Sequence, residues 1–138
     1  MIFLGIDPGL SGAVALWTPE RKALDVFDMP TLKLKPNSDK RTLDVIELAR
    51  LLDGVCKWSV TLAVIEQAGP RPNDGIRAAF GAGANWGSTY GALAAQFVPI
   101  DIIAPHVWKT AMRVTAAKDS SLDMVKKTLP QHAHFFAR

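Results

Sequence analysis

The sequence predicts an α/β fold: a five-stranded mixed sheet, three antiparallel strands and then parallel αβ units, with helices on both faces. Three observations lead there. The chain opens with three short apolar runs separated by turn-forming residues. Strand-like and helix-like segments then alternate towards its end. At 138 residues, with 49% apolar residues and a mean hydropathy of +0.12, the chain is long enough for one soluble domain with its own core. Residues 1–138 are therefore expected to form a single domain.

The elements follow in order. Met1 to Ile6 is an apolar run stopped by Asp7, and Pro8-Gly9 and Gly12 punctuate a tight turn. Ala13 to Trp17 reads as a second strand and Ala23 to Met29 as a third, joined through the turn-like Thr18 to Lys22. Pro30 to Arg41 is polar and basic and reads as a flexible loop. A helix follows, with Thr42 as its cap, Asp44 and Glu47 near its positive end, and Val45, Ala49, Leu52 and Cys56 as its apolar stripe. Val60 to Ile65 is apolar without alternation and ends at Glu66, as expected of a strand buried on both faces. Gln67 to Gly87 holds five glycines, two prolines and two asparagines. A helix is expected inside or just after it, running to about Phe97. Val98 to Ala104 is a short strand, Pro105 to Met112 a short helix or turn, and Lys118 to Leu129 a helix ended by Pro130.

Charge and cysteine content exclude little but narrow the setting. The net charge of +3, with a pI near 9.2, permits a nucleic-acid partner without demanding one. Cys56 is the only cysteine, so no internal disulfide forms; it reads as a small apolar core residue in a reducing compartment. The short N-terminal apolar run is not a secretory signal, and no stretch has the length of a membrane span. A cytoplasmic location follows as an expectation. Gly81 to Gly87 lacks the dinucleotide-binding spacing, no phosphate-loop Gly-Lys-Ser/Thr occurs, and Ser11, Ser88 and the histidines suggest no triad. His132 and His134 lack a third ligand and read as solvated.

Two carboxylates stand out. Asp7 and Glu66 are each the first acid after an apolar strand, and each is followed at once by turn-forming residues. On parallel neighbouring strands, ~4.8 Å apart, both would lie at the carboxyl edge of the sheet. Carboxylates that close repel unless a proton or cation lies between them. Oxygen-only ligands suit Mg²⁺, or Mn²⁺ in its place. The plainer reading, in which each acid merely stabilises a turn or caps a helix, stands beside it.

Several segments, taken in order, resemble one family. Leu4 to Ala13 (LGIDPGLSGA) looks like the opening strand and turn of RuvC-type Holliday junction resolvases. Val64 to Gln67 (VIEQ) resembles their second acidic strand, and Phe80 to Ala92 (FGAGANWGSTYGA) the glycine-rich segment and helix start after it. Ile103 to Lys109 (IAPHVWK) is similar to a strand end and Pro-x-x-Trp-Lys turn of bacterial and phage members, and Lys118 heads a helix as a lysine does there.

The resemblance implies an RNase H-like fold, a homodimer, a bacterial or phage origin, and paired incisions across a four-way DNA junction. It also implies four acids holding two Mg²⁺ ions, of which Asp7 and Glu66 match the first two. The other pair belongs to a C-terminal acidic helix that residues 1–138 are expected to lack. Asp119 and Asp123 are the nearest acids and read as a helix-start charge and a solvated residue facing Lys127. With two acids only, weak metal binding and largely failed cleavage are expected. Catalytic roles therefore fall to Asp7, Glu66 and, as a phosphate contact, Lys118. Lys33, Lys35, Lys40, Arg41, Arg71, Arg77, Lys109 and Arg113 are candidate DNA contacts, with Phe80 or Trp86 as a wedge or stacking ring.

Three alternatives stay open. One is a non-catalytic junction binder and another is a flap or branched-DNA nuclease of the same superfamily. The third is a fragment of an actin-like or sugar-kinase ATPase, which also has an Asp-x-Gly turn after its first strand but needs a second lobe.

Overall fold

Alternation of small and large apolar residues sets the strands, and turn residues set where they stop. The structure, a computed structural model, describes residues 1–69, 75–115, 117 and 119–136. Two compact units divide the chain, Met1–Ile102 and Ile103–Arg138.

The first unit holds β1 (Phe3–Ile6), β2 (Ala13–Thr18), β3 (Ala23–Asp28), β4 (Thr31–Lys33), β5 (Arg41–Leu43), α1 (Val45–Cys56), β6 (Leu62–Glu66), α2 (Ile76–Ala94) and most of β7 (Ile100–Ile103). Five strands form a mixed sheet in the order β3-β2-β1-β6-β7. β1 runs antiparallel to β2, β2 antiparallel to β3, and β1 parallel to β6. The predicted five-stranded mixed sheet, with its antiparallel and parallel pairs, is thus observed.

Burial alternates along β1 and β6, so one face of the sheet carries the core. Leu4, Ile6, Val14, Ala63 and Ile65 meet Leu48, Leu52 and Val55 of α1 and Leu93 of α2. Each fully buried leucine or isoleucine contributes about 1.5–3 kcal/mol through the water it sheds. β6 was expected to be buried on both faces. It is not: Leu62 and Val64 are only half-buried, because both helices of this unit pack on the Ala63/Ile65 face.

Two further expectations change. Pro30 to Arg41 was read as a loop, yet β4 and β5 pair antiparallel as a separate two-stranded ribbon, with Thr31 opposite Leu43 and Lys33 opposite Arg41. Met29 and Leu43 root the ribbon in the core. The cap of α1 is Asp44, not Thr42: its side chain accepts the Glu47 N–H at 3.0 Å, while Thr42 belongs to β5. The buried stripe is accordingly Leu48, Leu52 and Val55, whereas Val45 and Ala49 are exposed. Cys56 packs against the core as expected, and burial, helped by Asp53, pushes its thiol pKa up.

In the second unit α3 (Pro105–Ala111) starts on a proline, which suits a first helical turn, and α4 (Ser120–Thr128) follows. A 3-10 stretch, Pro130–Phe136, succeeds it. Among the described residues no helix is long and apolar enough to cross a membrane.

Candidate active site

The register of β1 on β6 shows where the two acids stand. Ile6 lies opposite Ile65, so the next residues, Asp7 and Glu66, reach the same carboxyl edge of two parallel, adjacent strands. Strand spacing keeps such neighbours ~5 Å apart at the backbone.

Local chemistry holds Asp7. Its N–H donates to the Ala13 carbonyl at 3.0 Å, and its Oδ1 accepts the Gly9 N–H at 2.9 Å. The Gly12 N–H closes the turn on the Gly9 carbonyl at 2.9 Å. Two glycines permit this geometry by close approach. A Cβ on Gly12 would stand 2.2 Å from the Asp7 carbonyl oxygen, and one on Gly9 would stand 3.2 Å from Oδ1. Asp7 itself remains exposed.

Glu66 is held from a distance. The indole N–H of Trp86, on α2, donates to the Glu66 carbonyl at 3.0 Å. Trp86 stacks on Tyr90 with ring centroids 5.2 Å apart, and both pack against the core. Trp86 is thereby placed as a support for the strand end. Phe80, the other aromatic candidate, is 78% exposed on the same helix, as is the neighbouring Arg77.

The remaining candidates separate. Lys33, Lys35, Lys40 and Arg41 are exposed on the ribbon or its tip. Arg41 Nη2 donates to Ser11 Oγ at 3.0 Å, which links the ribbon to the turn that carries Asp7. Lys109 and Arg113 belong to the second unit, where Lys109 lies over the Trp108 ring. Arg71 and Lys118 lie outside the described residues.

Two residues near these acids were not candidates in the sequence, Ser11, which receives Arg41, and Asp28; Trp86 was a candidate wedge or stacking ring, and its bond to the Glu66 carbonyl was not foreseen. Asp28 ends β3 opposite Ala13, in the row that Asp7 continues, at roughly 10 Å from Asp7 by strand spacing. The available signal for Asp28 was its place as the terminal acid of a third alternating strand.

The donor set fits a hard divalent cation in kind, since two adjacent carboxylates supply oxygen only. It does not complete a two-ion centre: among the described residues no group of three or more His, Cys, Asp or Glu stands close enough to hold a metal. A cavity of about 960 Å³ lies elsewhere, towards the amino end of β1, lined by Leu16, Arg21, Leu51, Val55 and Trp58 among others. It contains neither acid.

The mixed five-stranded sheet has the RNase H-like fold of the solved structures to which it is similar. The chain is similar to RuvC of Thermus thermophilus, with a TM-score of 0.60 and 22% sequence identity over 94% of this chain and 81% of that one. The same RuvC in complex with a Holliday junction substrate matches with a TM-score of 0.60 and 22% identity, covering 94% of this chain and 79% of that one. No protein-family model and no curated protein matches the sequence.

Proposed function

We propose that the chain is a structure-selective endonuclease that resolves four-way DNA junctions by metal-dependent phosphodiester hydrolysis. The observation that carries this reading is the β1–β6 register, which brings Asp7 and Glu66 together on a RuvC-like fold. A neighbour of that fold is seen with a Holliday junction substrate, which supports branched DNA as the substrate class.

Asp7 and Glu66 would hold Mg²⁺, with Mn²⁺ as its substitute. Held by Asp7 and Glu66, a hard divalent ion would supply water activation and charge stabilisation at the departing oxygen. The Asp7 turn fixes one carboxylate by backbone contacts, and Trp86 fixes the strand end of the other. Lys33, Lys35, Lys40, Arg41 and Arg77 offer phosphate contacts, with Phe80 as the exposed ring for stacking or wedging. Lys109 and Arg113 extend the set, as do Arg71 and Lys118 by sequence.

A homodimer belongs to the same proposal. The outward face of α2 carries Ile76, Phe80, Gly83, Ala84, Gly87, Gly91 and Ala94, all classed as exposed and none of them charged. Small residues at this spacing let two helices approach closely.

The test is a synthetic four-way junction incubated with Mg²⁺ and the protein, beside Asp7→Asn and Glu66→Gln. Symmetric nicks near the crossover, lost in both variants, are the expected result. Variants that cut like the parent would remove the site assignment, and equal affinity for junction and linear duplex would remove the substrate. A second reading is favoured by the lack of a three-acid group among the described residues. On that reading the protein binds junctions without cutting them. Selective binding that persists in EDTA, with no product in Mg²⁺, distinguishes it.

A further inference from the structure

The ribbon carries a pairing that costs stability. Lys33 and Arg41 are direct cross-strand partners, so their side chains leave the same face with Cβ atoms roughly 5 Å apart. Like charges so placed repel. Both are exposed, and among the described residues neither forms an ion pair with a carboxylate. That face is the inner one: it also carries Thr31 and Leu43, and Leu43 is in the core. Arg41 uses one guanidinium nitrogen on Ser11 Oγ, at 3.0 Å, and keeps other N–H donors for a second partner. Ser11 lies two residues beyond Gly9, whose N–H holds the Asp7 carboxylate.

A pair of cations without an acid, tethered to the turn that presents a candidate catalytic carboxylate, is suited to a singly charged oxyanion. Arg forks two phosphate oxygens, and Lys adds a point charge from the opposite strand. Resting on the junction-resolvase reading above, we infer that Lys33 and Arg41 clamp one backbone phosphodiester of the DNA, and that the Arg41–Ser11 bond sets that phosphate's position relative to Asp7. Lys33 and Arg41 are positioning residues in this scheme. They fix which phosphate reaches the acids and leave the hydrolysis to Asp7 and Glu66.

The experiment measures binding and so does not depend on turnover. A fluorescent four-way junction is titrated in EDTA at several salt concentrations with the full chain, Lys33→Gln, Arg41→Gln, Ser11→Ala and, as a control at the other end of the strands, Arg21→Gln. The titration is repeated on junctions in which single phosphates near the crossover are replaced by neutral methylphosphonates. The two clamp substitutions together are expected to lower the salt slope by about 0.9, which is about eightfold in affinity at 0.1 M salt, with each alone giving part of that loss, and Arg21→Gln is expected to leave both unchanged. One methylphosphonate position should weaken the parent, weaken Lys33→Gln or Arg41→Gln less, and leave a chain carrying both substitutions unchanged. Ser11→Ala should keep the salt slope but spread that sensitivity over neighbouring phosphates.

A doubly substituted chain that responds to that methylphosphonate as strongly as the parent does would overturn the inference while leaving the junction reading intact. So would unchanged slopes accompanied by self-association, which would make the charges guards of a ribbon edge. A parent with no preference for the junction would instead remove the reading itself, and the inference with it.

Discussion

The two acids at the sheet edge are held by opposite strategies. Asp7 sits in a turn where its own hydrogen bonds, to the Gly9 N–H and the Ala13 carbonyl, stay within the next six residues. Glu66 ends a strand whose carbonyl is held by Trp86, twenty residues further on and on another element. The first arrangement is local and survives as long as its glycines do. The second exists only after α2 has packed. A site built from both needs the core assembled before it is complete, although half of it is written in one short stretch.

Substitutions that damage one strategy and spare the other sharpen this contrast. The largest effect is expected for Trp86→Ala, which empties a partly buried indole site and its Tyr90 stack. A loss of about 3 kcal/mol should appear in urea unfolding. Gly12→Ala comes next, at about 2 kcal/mol, because its Cβ meets backbone that cannot swing aside. Its signature should be local: faster hydrogen exchange at the Asp7 amide, with Trp86 emission unchanged. Trp86→Phe keeps most of the ring and deletes the donor. It should cost about 1 kcal/mol and loosen the Glu66 end while the Asp7 amide stays protected. Gly9→Ala should be smallest, under about 0.5 kcal/mol, since the facing atom belongs to a carboxylate that can turn. If Gly12→Ala disturbs Glu66 as much as Asp7, the two supports are not independent and the contrast fails.

The same division governs what the sequence could disclose. The Asp7 turn is legible because acid, Pro8, Gly9 and Gly12 fall within one short window, and turn chemistry is local. Glu66 is legible as the end of an apolar run. Its support was not, since nothing in the spacing of Trp86 names a carbonyl on a distant strand. The five-stranded sheet could be read from the order of its segments, because connection rules leave few arrangements. The ribbon was missed because Lys33, Lys35, Lys40 and Arg41 dominate its composition, and alternation counts only once a partner strand is known. The stripe of α1 was misplaced for a related reason. Val45, Ala49 and Cys56 form as good a helical row as Leu48, Leu52 and Val55, and the choice belongs to Leu4, Ile65 and Leu93 packed against the helix.

The hydrogen bond from Trp86 to the Glu66 carbonyl also has an optical consequence. Indole emission responds to its N–H partner, so any event that shifts this strand end should change the colour or brightness of Trp86. A version with Trp17, Trp58 and Trp108 replaced by Phe would carry a single fluorophore wired to the candidate site. Occupancy there becomes readable in real time, without an attached dye.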